Sequence, residues 1–236
     1  MGRRGATLVA VAALVACSAP EQAVSAPPSA ASSPAATRAV PQASKAPAPG
    51  AVVSVSAIDS RLAGRMRYSY RSGCPVPLSR LRYLRLRYWS FDGQRRVGEM
   101  VVHRDAVSAV GAAFSALYRQ RFRLRQMRLI DDFRGSDDAS VAADNTSAFN
   151  CRTVAGSASW SQHAYGRAVD VNPFENPYVT RSRVSPPAAA GYARRVPLRR
   201  GMLGATAVSA FTSRGWGWGG NWRTVKDYQH FSANGR

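Results

Sequence analysis

An α+β domain, with a small, mainly antiparallel sheet flanked by helices, is the fold this chain predicts over residues 52–236. Three observations carry that expectation. Leu84, Leu86 and Tyr88 alternate with Arg85, Arg87 and Trp89, the period of a half-buried strand with arginines outward. Val107, Val110, Phe114 and Leu117 recur at helical spacing and mark a buried stripe. Strand-like and helix-like stretches are mixed without a regular βαβ repeat, and no internal repeat is apparent.

Before the domain lie two segments of different character. In residues 1–17, Arg3 and Arg4 precede a small-to-aliphatic run from Ala6 to Ala16. That run falls short of the roughly 20 residues a membrane span needs, so it reads as the apolar part of an export signal. Leu14-Val-Ala-Cys17 resembles a bacterial lipoprotein lipobox, which implies cleavage before Cys17 and lipidation of its thiol. The alternative is cleavage near Ala19 or Ala26, which gives a freely secreted protein. Residues 18–51 are rich in Ala, Pro and Ser. Such a segment buries too little apolar surface to offset its ordering entropy and is expected to be a disordered linker.

Within the domain, Asp92-Gly93 signals a tight turn, and Val97 to Val102 reads as the returning strand of a hairpin. Asp105 is placed to cap the helix that follows. Leu124 to Ile130 and Ala148 to Val154 are expected strands, separated by a polar loop rich in Asp, Ser and Asn. Val169 and Val171 flank Asp170 on another strand, so the valines face one side and the carboxylate the other. A Pro-rich loop, a short helix around Ala207 to Thr212 and a Gly-Trp stretch complete the chain's approach to its C-terminal motif.

Charge is lopsided. Lys+Arg number 33 against Asp+Glu 13, for a formal net charge of +20, and Lys45 and Lys226 are the only lysines. This points to an anionic partner: nucleic acid, anionic lipid or an acidic wall polymer. A solvated arginine-rich surface is the plainer account of most of these residues. The export signal and the lack of a nucleic-acid-binding motif argue against nucleic acid. With Cys17 assigned to the signal, Cys74 and Cys151 remain as a candidate disulfide in an exported protein, two buried thiols being the alternative.

The reactive residues cluster in two stretches. Ser161-Gln-His-Ala-Tyr-Gly-Arg-Ala-Val-Asp170 offers an imidazole and a carboxylate, and Lys226-Asp-Tyr-Gln-His-Phe231 offers a second imidazole. Two His and one carboxylate, with a fourth position open, is how a catalytic zinc is held. His163, Asp170 and His230 are therefore the candidate metal ligands, and Asp227 the candidate base. Gly166 and Ala168 leave the backbone room to bend between the first two. Simple alternation would put Asp227 and His230 on opposite faces, so a turn or bulge is required between them. His103 reads as structural. Asp131, Asp132, Asp137 and Asp138 fit no calcium-loop spacing and read as a solvated loop.

Ser161-x-His163-x-x-Gly166-x-Ala168-x-Asp170, followed by Trp216-Gly-Trp218 and Asp227-x-x-His230-Phe231, resembles the zinc D-alanyl-D-alanine carboxypeptidases. The VanY-type enzymes and phage L-alanyl-D-glutamate endolysins belong to this group. The resemblance implies Zn²⁺ on His163, Asp170 and His230, with Asp227 as base for attack by a metal-bound water. It implies that Arg152, in Phe149-Asn-Cys-Arg152, holds the scissile carbonyl or its oxyanion, with Ser161 and Trp218 near the substrate. The implied activity is hydrolysis of peptidoglycan stem peptides, with a D-Ala-D-Ala carboxypeptidase as the first reading. The alternatives are an endopeptidase cutting L-Ala-D-Glu or a cross-link, and a non-catalytic wall-binding module. The expected protein is an exported monomer, anchored through Cys17 or secreted, with peptidoglycan peptides as partner. Relatives often have Asp where Asn221 stands and an acidic residue where Ser232 stands. Those departures leave the metal set intact and bear on substrate preference.

Overall fold

The computed structural model describes residues 50–236. The expected export signal, Cys17 and the linker as far as residue 49 lie outside the described residues. Ala51, assigned above to the linker, is instead part of the fold. It is fully buried, its N–H donates to Ser115 Oγ at 3.0 Å, and its carbonyl accepts from Arg87 N at 2.7 Å.

The domain is α+β, assembled from several small sheets rather than one. Strand β1 (Val52–Ala57) and helix α1 (Ser60–Arg65) precede the long hairpin of β2 (Leu81–Ser90) and β3 (Arg95–His103). The hairpin register runs from Leu81↔His103 to Trp89↔Arg95 around the Asp92-Gly93 turn. Leu84, Leu86 and Tyr88 are buried on the inward face, as the alternation requires. Helix α2 (Val107–Arg119) covers that face with Val110, Phe114 and Leu117. Full burial of each such side chain contributes about 1.5–3 kcal/mol. A second apolar cluster, with Leu62, Met66, Leu81, Val101 and Phe149, covers the other face at one end of the hairpin.

Asp105 does not cap α2. It sits inside a 3-10 turn over Arg104–Ala106, its N–H donates to His103 Nδ1 at 3.2 Å, and its carboxylate meets Arg167. His103 is buried and holds that turn, as a structural residue would.

The expected strand over Leu124 to Ile130 splits into β4 (Arg123–Leu124) and β5 (Gln126–Met127). The break has a cause: the Arg125 N–H donates to Asn172 Oδ1 at 3.2 Å instead of to a neighbouring strand. β4 runs parallel to the end of β2, whereas β5 runs parallel to β6 (Asn145–Thr146). Between them the polar loop contains a 3-10 turn (Ile130–Phe133) and helix α3 (Asp137–Ala142), capped by Ser136. Ala148 to Val154 is not a strand; the N–H groups of Phe149, Asn150 and Cys151 go singly to the Val101, His163 and Ser69 carbonyls.

The C-terminal half is made of short pieces. β7 (Ala168–Asp170) pairs with β12 (His230–Ser232), which pairs with β10 (Gly217–Trp218). β8 (Tyr178–Val179) lies between β9 (Val184–Ser185) and β11 (Lys226–Asp227). Helices α4 (Ala190–Ala193) and α5 (Ala205–Thr212) complete the set. Phe231 stacks on Phe211 of α5 at 4.1 Å between centroids, and Phe211 meets Phe114 of α2 edge-on. That aromatic chain ties β12 to the main core. Among the described residues no helix is long and apolar enough to cross a membrane.

Candidate metal centre

Asp170 and His230 are direct cross-strand partners in the β7–β12 pair. Opposed residues on neighbouring strands point to the same face, so register alone brings the carboxylate and imidazole together. His163 arrives from a 3-10 turn (Gln162–Tyr165) whose start is fixed by Ser161 Oγ accepting from His163 N at 3.3 Å. Gly166 ends that turn with a left-handed φ of 64°. Its carbonyl accepts from His103 N at 2.8 Å, and a Cβ there would sit 2.5 Å from that nitrogen. Only glycine satisfies both demands without displacing β3.

The three side chains converge. His163 Nε2 lies 3.1 Å from Asp170 Oδ2, His230 Nδ1 lies 3.0 Å from Asp170 Oδ1, and the two ring nitrogens are 3.3 Å apart. All three residues are buried, and together they form a group that could hold a metal ion. The outer ring nitrogens are also engaged: His163 Nδ1 with the Ala148 carbonyl at 2.5 Å, and His230 Nε2 with the Arg236 carbonyl at 3.4 Å. If those outer nitrogens carry the protons, the inward ones present lone pairs, which is the arrangement a metal requires. Burial works against charge on Asp170, but the charge and hydrogen bond of His163, followed by those of His230, bring its carboxyl below the usual range. Burial likewise disfavours a charged His230, and Asp170 outweighs it, leaving the imidazole raised.

Asp227 ends β11, and a bend through Tyr228 and Gln229 separates it from His230 in β12. The required break in alternation is thus a change of sheet. Its Oδ1 is buried with no hydrogen-bond partner. Burial pushes its carboxyl up to about 6; His230 opposes the rise and Asp170 adds to it. Gly219 packs against this residue so closely that a Cβ would lie 2.5 Å from the Asp227 carbonyl oxygen.

The remaining expected residues are placed less directly. Arg152 donates from Nη2 to Asp137 at 2.8 Å, and its Nε is buried without a partner. Among the described residues no hydrogen bond joins it to the trio or to Asp227. Ser161 serves as the turn cap. Trp218 donates to the Tyr228 carbonyl at 2.8 Å and walls the bend beside Asp227, while Trp216 is core. Cys74 and Cys151 form a disulfide, which pins the segment before Arg152 to the α1 side of the domain. Of the acidic residues, Asp131 caps the Tyr68 and Ser69 N–H groups, and Asp132 and Asp137 pair with arginines. Trp222, which the sequence matches to the family pattern after Asn221 but gives no role, has its ring 5.5 Å from that of His230, and its Nε1 donates to the Gly235 carbonyl at 2.8 Å. Sequence reading did not find the Ala148 and Arg236 carbonyls, because a backbone acceptor leaves no mark in residue type.

Residues 155–233, which contain all three converging side chains and Asp227, match the family model described as D-alanyl-D-alanine carboxypeptidase. This segment belongs to that peptidase family. No curated protein and no solved structure matches the chain. The peptidase segment begins after Arg152, so the arginine assignment rests outside the matched residues.

Proposed function

We propose that His163, Asp170 and His230 hold zinc and that the chain hydrolyses peptidoglycan stem peptides, with removal of a terminal D-Ala as the first reaction. The observation that carries this is the convergence of three buried donors beside a carboxylate with an unpartnered buried oxygen. Two imidazoles and one carboxylate suit zinc and leave a position open for substrate or water. Bound there, zinc supplies Lewis acidity toward the scissile carbonyl and makes water more acidic near neutral pH.

The chain's own part is positional and protonic. Asp227 Oδ1 accepts the proton of the attacking water and returns it to the leaving amine. The Ala148 and Arg236 carbonyls hold the two imidazoles in orientation. Arg152 holds Asp137 through Nη2 and keeps a buried, unpartnered Nε, the donor it would offer to the oxyanion, a role worth about 10²–10³ in rate. A second reading has its own support. Among the described residues no arginine or lysine side chain pairs with His163, Asp170 or His230, and a centre without a clamp for a terminal carboxylate favours an internal cut. Export fits the disulfide, since such bridges persist in oxidising compartments. Lipidation of Cys17 is part of the same proposal, and an acyl mass on membrane-fraction protein tests it.

The deciding experiment measures bound zinc and incubates wild type and Asp227→Ala with defined muropeptides under mass spectrometry. The expected result is one zinc in both proteins and D-Ala release by wild type at a rate about 10²–10⁴ times that of the variant. An internal cut would select the endopeptidase. Bound zinc without cleavage would select the wall-binding module, and absence of zinc would end the metal reading.

A further inference from the structure

At the tip of the β2–β3 hairpin, guanidinium groups gather on aromatic rings. Arg121 and Arg123 lie over Trp89 at 5.4 and 5.5 Å from its centroid, and Arg125 lies 4.0 Å over Phe91. Trp89 is itself held, stacked on Tyr118 and donating from Nε1 to the Tyr118 carbonyl at 3.1 Å. Arg123 and Arg200 donate to the Ser90 and Phe91 carbonyls, each at 3.2 Å. The loop that carries Arg200 is seated on this tip: a Cβ at Gly201 would collide with the Phe91 ring, and Gly201 has a φ of 83°.

The carboxylates nearby are committed elsewhere. Asp92 bonds Ser90, Gln94 and Arg96, while Asp144 and Glu175 face Arg125. Among the described residues, Arg121, Arg123 and Arg200 have no carboxylate partner. Stacking and carbonyl contacts orient these cations and leave other N–H groups open, the arrangement that recognises carboxylates. The patch is also wired to the metal strand. Asn172, two positions beyond Asp170, donates to the Arg123 and Gly201 carbonyls at 2.7 and 3.1 Å and accepts from Arg125 N.

We propose that Arg121, Arg123 and Arg200 form a docking surface for the carboxylate-bearing wall polymer whose peptides are presented to the metal centre. This rests on the peptidoglycan reading above and names where its polymer is held. A single-stranded nucleic acid is the rival polyanion, but it needs free ring faces for base stacking. Here arginines occupy faces of Trp89 and Phe91.

The test uses the full chain with Asp227→Ala, so that binding is read without turnover, and Cys17→Ser, so that no acyl group contributes. Binding to purified insoluble peptidoglycan is compared with and without Arg121→Gln, Arg123→Gln and Arg200→Gln together. The expected outcome is a half-saturation concentration raised about tenfold, with binding that weakens as salt rises. Arg121→Gln alone, at a side chain with no hydrogen bond to lose, carries part of that loss with an unchanged melting temperature. Peptidoglycan with its carboxylates amidated binds wild type as weakly as the triple variant binds native polymer. Unchanged binding by the triple variant, equal binding to amidated polymer, or a loss confined to a single-stranded DNA probe would each overturn the inference. If zinc or cleavage fails while the triple variant still loses polymer binding, the surface stands and only the reading of the centre falls.

Discussion

The hairpin half of the domain and the half with the candidate metal centre are held together by different means. β2 and β3 pair in one unbroken register, and their inward residues meet the stripe of α2. That half is a product of apolar periodicity. In the metal half no strand exceeds three residues, and the buried set includes Asp144, Asn172, Glu175 and Asn176. Asn176 alone donates to the Val171, Asn172 and Gly201 carbonyls and accepts from Leu203 N. Here side-chain amides do for irregular backbone what ladder bonds do for a sheet. Long elements make a scaffold, whereas short ones let His163, Asp170, His230 and Asp227 approach from different directions.

The largest test of this contrast is the covalent tie that supports the segment before Arg152. Replacing Cys74 and Cys151 by Ser is expected to cost about 4 kcal/mol, from the loop the bridge closes. Urea unfolding checks it, and a loss under about 1 kcal/mol would mean that the single backbone bonds of Phe149 to Cys151 suffice. Leu86→Ala in the hairpin half should cost about 3 kcal/mol and leave zinc affinity unchanged. Asn176→Ala should cost about 2 kcal/mol and also weaken zinc binding, because it frees the Val171 carbonyl beside Asp170. Calorimetric zinc titration separates the two. Equal affinities in both variants would remove the distinction between the halves.

A smaller effect concerns pH. Burial and the neighbouring Asp144 push the Glu175 carboxyl from its ordinary 4.5 up to about 8. The folded state then holds a proton that the unfolded chain has released. Its contribution is full below pH 4.5 and is lost as pH rises through about 8. Glu175→Gln, neutral throughout, should flatten the fall in melting temperature between pH 5 and 9. A slope identical to wild type would show that Glu175 does not hold its proton above the ordinary carboxylate range. Smallest of all is Arg96→Ala, which breaks an exposed ion pair with Asp92 and should change stability by less than about 0.5 kcal/mol.

What was legible in the sequence follows the same division. The alternation of Leu84, Leu86 and Tyr88 and the stripe of α2 could be read because one residue's environment repeats along the chain. The convergence of His163, Asp170 and His230 could be read because ligand chemistry restricts residue type and the motif spacing is specific. Leu124 to Ile130 misled because its apolar content suits a strand, yet Arg125 is claimed by Asn172 from far along the chain. Ala148 to Val154 misled similarly, since the N–H groups of Phe149, Asn150 and Cys151 go to three separate segments. The Asp-rich loop hid α3 because Ser136 and the two aspartates after it make both a good loop and a good helix start.

Residue chemistry by itself determined the mixed fold class, the hairpin and its covering helix, the His163, Asp170 and His230 set that could hold a metal, and the need for a break between Asp227 and His230. Tertiary structure alone decided that the break is a change of sheet, that Arg152 faces Asp137, and that the Ala148 and Arg236 carbonyls orient the two imidazoles. The physical reason is one of range. Periodicity and ligand chemistry are properties of a residue and its near neighbours, whereas a backbone carbonyl becomes a partner only when distant segments are packed against it.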